Sequence, residues 1–122
     1  MATQSEFPSV FKKLTSILGP YSSICIIKED KSNGYSLEGA YSEKWKKDLH
    51  FASVQVKKNY VSYYLMPVYM YPDLLKNISP ELKKHMQGKS CFNFKKIETP
   101  LFDELARLTK LGFERFMKEE YS

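Results

Sequence analysis

Apolar residues recur at helical spacing near both ends of the chain. Four of them, at i, i+4, i+7 and i+11, are Phe7, Phe11, Leu14 and Leu18. This spacing puts them on one side of a helix, which Ser5 can cap and which Gly19 and Pro20 end. A second apolar stripe follows Thr99 and Pro100 and predicts a final helix that runs to about Lys118.

Between the helices, the polar and apolar positions alternate as they do in strands. Residues 24–27, 35–41, 50–56 and 60–69 predict four consecutive strands, and residues 90–94 predict a fifth. The Asn33-Gly34 pair between the first two is typical of a hairpin. In residues 50–56, alternation puts Ala52 and Val54 on one face and Phe51 on the other. Residues 60–69 are apolar or aromatic on both faces, which predicts a central strand that is covered on both sides.

A short helical connection separates the fourth and fifth strands. Ser79 and Pro80 are typical of a helix start, and Gly88 is typical of the end of that helix. The element order is α-β-β-β-β-α-β-α. We therefore predict one α+β domain over residues 1–122, in which the N-terminal and C-terminal helices pack on a five-stranded, mainly antiparallel sheet.

Composition narrows the class of protein. Of the 122 residues, 43% are hydrophobic and 27% are charged, as in ordinary globular domains. No apolar run approaches the length of about 20 residues that a membrane helix needs, and residues 1–13 lack the pattern of a secretory signal. The two cysteines are too few for a disulfide scaffold. We expect a cytoplasmic protein with no membrane contact.

Several segments from Phe51 onward resemble the YdhG-like domain family of unknown function. These segments are residues 60–62 (YVS), 65–69 (LMPVY) and 88–94 (GKSCFNF). The resemblance implies a small α+β domain with an antiparallel sheet. It also implies an alternative function, because members of this family are often described as frataxin-like iron chaperones. The N-terminal third diverges from the family: residues 35–41 (YSLEGAY) lack its early Met-Pro segment.

The Gly88-Lys89-Ser90 triplet invites comparison with a phosphate-binding loop. That loop needs a glycine where this chain has Lys83, and it runs from strand to helix rather than from helix to strand. A helix-ending glycine explains Gly88 better. Lys89 and Ser90 remain candidate donors to an anion.

The histidines and cysteines do not form a recognisable reactive or metal-binding set. His50 and His85 lack the spacing of metal ligands with each other or with a nearby carboxylate, so we predict no metal site and no cofactor. Cys91 lies close to Lys89, which can lower the pKa of a thiol, but packing in a strand is the favoured role. Because no nucleophile, base or metal set is recognisable, we do not expect an enzyme.

Tyrosine is the most distinctive feature of the composition. Five of the nine tyrosines fall in residues 60–71, and tyrosine combines apolar area with a polar tip, which suits ligand grooves and protein interfaces. Ser62 and Tyr64 share one face of the fourth strand, which either lines a cleft or is covered like the opposite face. The predicted groove residues are His50, Tyr60, Tyr64, Met66, Tyr69 and Phe92.

The leading hypothesis is thus a non-catalytic binding module, which binds a small ligand or a partner protein and can form a homodimer. Iron handling is one alternative function, and nucleic-acid binding, which the net charge of +5 favours, is the second. Aromatic residues interleaved with lysines on a sheet are typical of surfaces that bind single-stranded nucleic acid, although no known nucleic-acid-binding motif is present.

Overall fold

Six antiparallel strands form one sheet in the computed structural model, which describes residues 6–121 apart from the side chains of Ala40 and Tyr121. The strands are β1 Ile26–Lys31, β2 Gly34–Ser42, β3 Lys47–Val56, β4 Val61–Leu65, β5 Met86–Gln87 and β6 Cys91–Phe94. Their spatial order is β1-β2-β3-β4-β6-β5. The helices are α1 Phe7–Leu18, α2 Met66–Met70, α3 Pro80–Lys83 and α4 Thr99–Tyr121, and short 3₁₀ turns cover Gly19–Tyr21 and Pro72–Leu75.

The predicted α+β architecture, with helices at both ends of the chain and an antiparallel sheet, is confirmed. The sheet has six strands rather than five, because the two-residue strand β5 forms a hairpin with β6. Gly88, with φ of +78°, lies in the turn of that hairpin and does not end a helix. The predicted cap at Ser5 lies outside the described residues.

The helices pack on one face of the sheet, and the strand register decides which side chains they cover. One row of paired residues crosses the sheet beneath them: Tyr35, Val54, Tyr63, Phe92 and Met86. In β4, Val61, Tyr63 and Leu65 face the helices and are fully buried. Strand β4 is shorter than predicted, because Pro67 lies in the first turn of α2. The helices cover only the face of β4 that carries Val61, Tyr63 and Leu65, whereas on the other face Ser62 is buried and Tyr64 is half-buried.

Phe51 lies on the helix-covered face, contrary to the simple alternation predicted for β3. Leu37 pairs with Ala52 and Glu38 pairs with His50, so Phe51 is an extra residue at a β-bulge. The bulge puts Phe51 on the same face as Ala52, where its ring lies 5.3 Å from that of Phe113. Beyond the bulge, His50 points to the opposite face.

A buried hydrogen bond joins the central strand to α4. The hydroxyl groups of Tyr63 and Thr109 lie 2.6 Å apart, and Thr109 donates its own proton to the carbonyl of Leu105 at 2.8 Å. Tyr63 is therefore the donor to Thr109. Burial raises the pKa of Tyr63, and the bond to Thr109 opposes this shift only in part.

We expect the two sides of this bond to differ in mutational cost. Tyr63→Phe removes the donor and should cost about 1 kcal/mol, whereas Thr109→Val leaves the buried Tyr63 hydroxyl unpaired and should cost about 2 kcal/mol. The double variant leaves neither polar partner, so its loss should be smaller than the sum of the two. Urea unfolding of the four proteins measures these values, and strictly additive costs would contradict the assignment.

The last turn of α4 is fastened by a buried carboxylate. Glu120 is 7% exposed, accepts a bond from the Trp45 indole at 2.5 Å and another from the Tyr71 hydroxyl, and lies 3.6 Å from the Lys44 ammonium. Burial alone would raise the pKa of Glu120, but these three partners outweigh it and lower the pKa. The cluster joins α4 to the β2–β3 turn and to the segment after α2.

This cluster predicts how stability depends on pH. Because the folded pKa of Glu120 lies below the unfolded value of about 4.3, its contribution is present above that pH and is lost as the pH falls through the folded pKa. Glu120→Gln should cost roughly 1–3 kcal/mol at neutral pH and should flatten the loss of stability in acid. Urea unfolding between about pH 6 and about pH 3 measures this effect.

Glu43→Gln is the matched control, since Glu43 is an exposed residue of the same β2–β3 turn. It should leave the acid dependence of stability unchanged. A Glu120→Gln protein that loses stability in acid as steeply as the unmodified chain would contradict the role given to Glu120.

Among residues 6–121, no helix combines the length and the apolar character that crossing a membrane requires.

Candidate functional site

The face of the sheet opposite the helices is polar, and we call it the open face. The pairing of β3, β4 and β6 arranges its side chains in rows across the strands. One row is Ser53, Tyr64 and Cys91, and the next is Gln55, Ser62 and Asn93. Hydroxyl and amide groups therefore occupy the centre of the open face, where antiparallel sheets with one solvated side carry their polar residues.

The polar groups of the open face are largely bonded to one another. The Oδ1 atom of Asn93 accepts from the Ser62 hydroxyl at 2.7 Å and from the Cys91 thiol at 3.2 Å. The Nδ2 atom of Asn93 donates to Gln87 at 2.7 Å. This network explains how Ser62 can be fully buried on a polar face. It also fixes Asn93 at the border of a nearby cleft.

That cleft, which we call the Tyr60 cleft, lies where β4 begins and β6 ends. It has a volume of about 360 Å³ and is lined by Tyr60, His85, Asn93, Lys95, Lys96 and Glu98. Two lysines and one aromatic ring thus border a small concave surface that is continuous with the open face. The cleft combines an aromatic surface with positive charge.

His85 is held in the wall of this cleft by three contacts. Its Nδ1 atom lies 2.8 Å from the carbonyl oxygen of Asn93, and its Nε2 atom lies 3.1 Å from the Glu98 carboxylate. Its ring stacks on Phe94 with 4.5 Å between the centroids. These contacts give His85 a structural role that its position in the sequence does not reveal.

A second concave surface lies beside strand β5, and we call it the Tyr69 groove. Its volume is about 610 Å³, and it is lined by Val68, Tyr69, Pro72, Leu75, Lys83, Met86, Gly88 and Lys89. The apolar lining residues come from α2, the Pro72–Leu75 turn and β5. The Lys89 ammonium lies 6.0 Å from the centre of the Tyr69 ring, which is itself 54% exposed.

The structure divides the six predicted groove residues among different surfaces. Tyr64 and His50 lie on the open face, Tyr60 lines the Tyr60 cleft, and Tyr69 lines the Tyr69 groove. Met66 begins α2 and lines neither of these two surfaces. Phe92 is fully buried beneath the helices, because its register with Tyr63 puts it on the covered face, so it cannot line a groove on the open face.

Of the two predicted anion donors, only Lys89 lies in the Tyr69 groove. The backbone carbonyl of Ser90 accepts from the Leu65 amide at 2.9 Å, which extends the pairing of β4 with β6. Tyr69 and Lys89, singled out by different arguments, are therefore brought together. Their proximity depends on the β5–β6 hairpin, which the sequence pattern did not predict.

His50 and Cys91 face the open side with altered acidities. Burial lowers the pKa of His50, which favours the neutral ring, and the Glu38 carboxylate opposite it counters this effect only in part. Burial raises the pKa of Cys91 more than Ser62, Tyr64 and Lys57 lower it. Lys89 does not contribute to the pKa of Cys91, so the lowering of this pKa that its proximity in sequence suggested is not found.

Within residues 6–121, no three His, Cys, Asp or Glu side chains converge as metal ligands would.

Comparison with known proteins gives no match to a family model, a curated protein or a solved structure. The YdhG-like resemblance and the iron-handling alternative that it implies therefore stay predictions.

The acidity of the thiols gives a direct test of Cys91. Burial raises the pKa of Cys25 to about 11 and also raises that of Cys91, so both should react with a disulfide reagent at neutral pH more slowly than free cysteine does. A Cys25→Ala variant isolates Cys91, and the unfolded protein serves as the control. Reaction of Cys91 faster than free cysteine would mean that the thiol is activated.

Proposed function

We propose that this protein is a non-enzymatic cytoplasmic binding module, and that the Tyr69 groove takes a small ligand with an apolar body and an anionic group. The observation that carries the proposal is the pairing of an apolar groove with two lysines. The volume of about 610 Å³ lies within the usual range of ligand pockets, roughly 300–1,000 Å³.

Charge favours an anionic group on the ligand. Lys83 and Lys89 both line the groove, and none of the described residues in its lining is acidic. Both lysines are exposed, so they can meet a ligand carboxylate or phosphate at the edge of the groove without losing their solvation. Val68, Pro72, Leu75 and Met86 then offer apolar contact to the rest of the ligand.

A non-enzymatic role is supported by the roles of the residues that could carry chemistry. His85 is fixed between the Asn93 carbonyl and Glu98, and burial raises the pKa of the Cys91 thiol. Glu120 is used in fastening α4 through Trp45 and Tyr71. His85 and Glu120 thus serve structural contacts, and the Cys91 thiol is poorly suited to act as a nucleophile.

Native mass spectrometry of the purified protein is the first test. We expect a retained small anion of mixed polarity, and the same spectrum reads out whether the chain forms a homodimer. A spectrum of the apo mass alone leads to the defined probes of the next experiment.

Decanoate and decanol are matched probes, because they share an apolar chain and only decanoate carries a charge. We expect decanoate to bind more tightly in calorimetry, and we expect Lys83→Gln and Lys89→Gln each to weaken it about two- to five-fold, as exposed charge pairs do. Lys84→Gln is the control, since Lys84 is exposed next to Lys83 but does not line the groove. Equal binding of the two probes, or no binding of either, would contradict the proposal.

A further inference from the structure

The end of the open face where β4 begins carries lysines on both sides of a tyrosine. Val56 pairs with Val61 and Val61 pairs with Phe94, and all three face the helices. Their chain neighbours at this end of the sheet are Lys57, Tyr60 and Lys95. Because side chains alternate along a strand, these three should face the open side. A hydrogen bond of 2.8 Å from the Lys57 amide to the Tyr60 carbonyl holds the first two side by side.

Two observations support this placement. The Lys57 ammonium lies 6.0 Å from the centre of the Tyr64 ring, two rows farther along the same strand pair. Lys95 and Lys96 line the Tyr60 cleft together with Tyr60 and Asn93. We call the group of Lys57, Tyr60, Lys95 and Lys96 the basic end of the open face.

The charge of this end is not neutralised by neighbouring carboxylates. Among the described residues, Lys57, Lys95 and Lys96 form no ion pair. Of the residues that the structure describes, Glu98 is the one acid that lines the cleft, and its carboxylate lies 3.1 Å from the Nε2 atom of His85, so lysines outnumber acids in this lining. The other acids of the open face belong to β1 and β2: Glu29 pairs with Lys31 and accepts a bond from Gln55, and Glu38 lies opposite His50. The basic end therefore favours an anionic partner.

The aromatic rings decide what kind of anion fits. Tyr60 and Tyr64 are four residues apart on one face, so their Cα atoms are about 13 Å apart. A strand stacked at about 3.4 Å per nucleotide covers that distance in about four steps. Aromatic rings on a sheet, flanked by cations, stack bases while the cations meet phosphates. The row between the two tyrosines holds Gln55 and Asn93, whose amides already donate to Glu29 and Gln87, so the rings rather than these amides would hold the bases.

We propose that the basic end of the open face binds single-stranded nucleic acid, with bases on Tyr60 and Tyr64 and phosphates on Lys57, Lys95 and Lys96. This goes beyond the proposed ligand of the Tyr69 groove and uses none of its lining residues. An extended strand suits this surface better than a duplex, because the rings need unstacked bases.

Fluorescence anisotropy with a labelled oligouridylate of about 12 nucleotides tests the proposal, since such a strand is longer than the spacing of the two rings requires. Three lysines on phosphates should give a slope of log K against log salt of about −2, and Lys95→Ala/Lys96→Ala should reduce it to about −0.7. Tyr60→Ala and Tyr64→Ala should each weaken binding at least about five-fold and leave the slope nearly unchanged.

Lys12→Ala/Lys13→Ala is the matched control, because it removes the same charge from the exposed surface of α1, away from the open face. It should change neither affinity nor slope beyond the small effect of net charge. The inference is overturned by equal losses in the two lysine variants, by no binding in low salt, or by tighter binding of a duplex of the same length. It is also overturned if polyglutamate at equal charge displaces the strand fully, which would indicate an acidic polypeptide instead.

Discussion

The burial of alternate residues of β4 beneath the helices is the constraint on which the rest of the structure depends. Val61, Tyr63 and Leu65 are completely covered, and Tyr63 is bonded to Thr109 of α4. Because a strand has a period of two, shifting β4 by one residue would bury Ser62 and Tyr64 against the helices and would expose all three. The position of the polar groups on the open face is thus a consequence of how the core is packed.

The same constraint explains why the open face is stable without a cover. Its central groups bond to one another through Asn93, which satisfies polar atoms of Ser62, Cys91 and Gln87. The bulge at Phe51 adds to this division, because it moves a large aromatic ring into the core and turns His50 outward. One inserted residue thereby reverses the direction of the side chains along the rest of β3.

The sequence predicted the elements whose signals are local. The apolar spacing of α1, the Ser79–Pro80 helix start and the hairpin near Asn33 are all found in the structure. The bulge at Phe51 could not be predicted, because it depends on how two strands pair rather than on the residues of one. Gly88 was assigned to a helix end for a related reason: a positive φ suits both a helix end and a hairpin turn, and only the pairing of β5 with β6 distinguishes them.

The candidate sites were predictable only in part, because tyrosine density does not determine where each ring points. Tyr63 is buried in the core, Tyr69 lines the Tyr69 groove and Tyr60 lines the Tyr60 cleft, although all three lie within ten residues of the sequence. The positions of the lysines depend on the strand register in the same way. In the sequence they form scattered pairs, which indicate only a solvated surface. Pairing brings Lys57 of one pair and Lys95 of another onto the same end of the sheet. A net charge of +5 is therefore less informative than the place where the lysines meet.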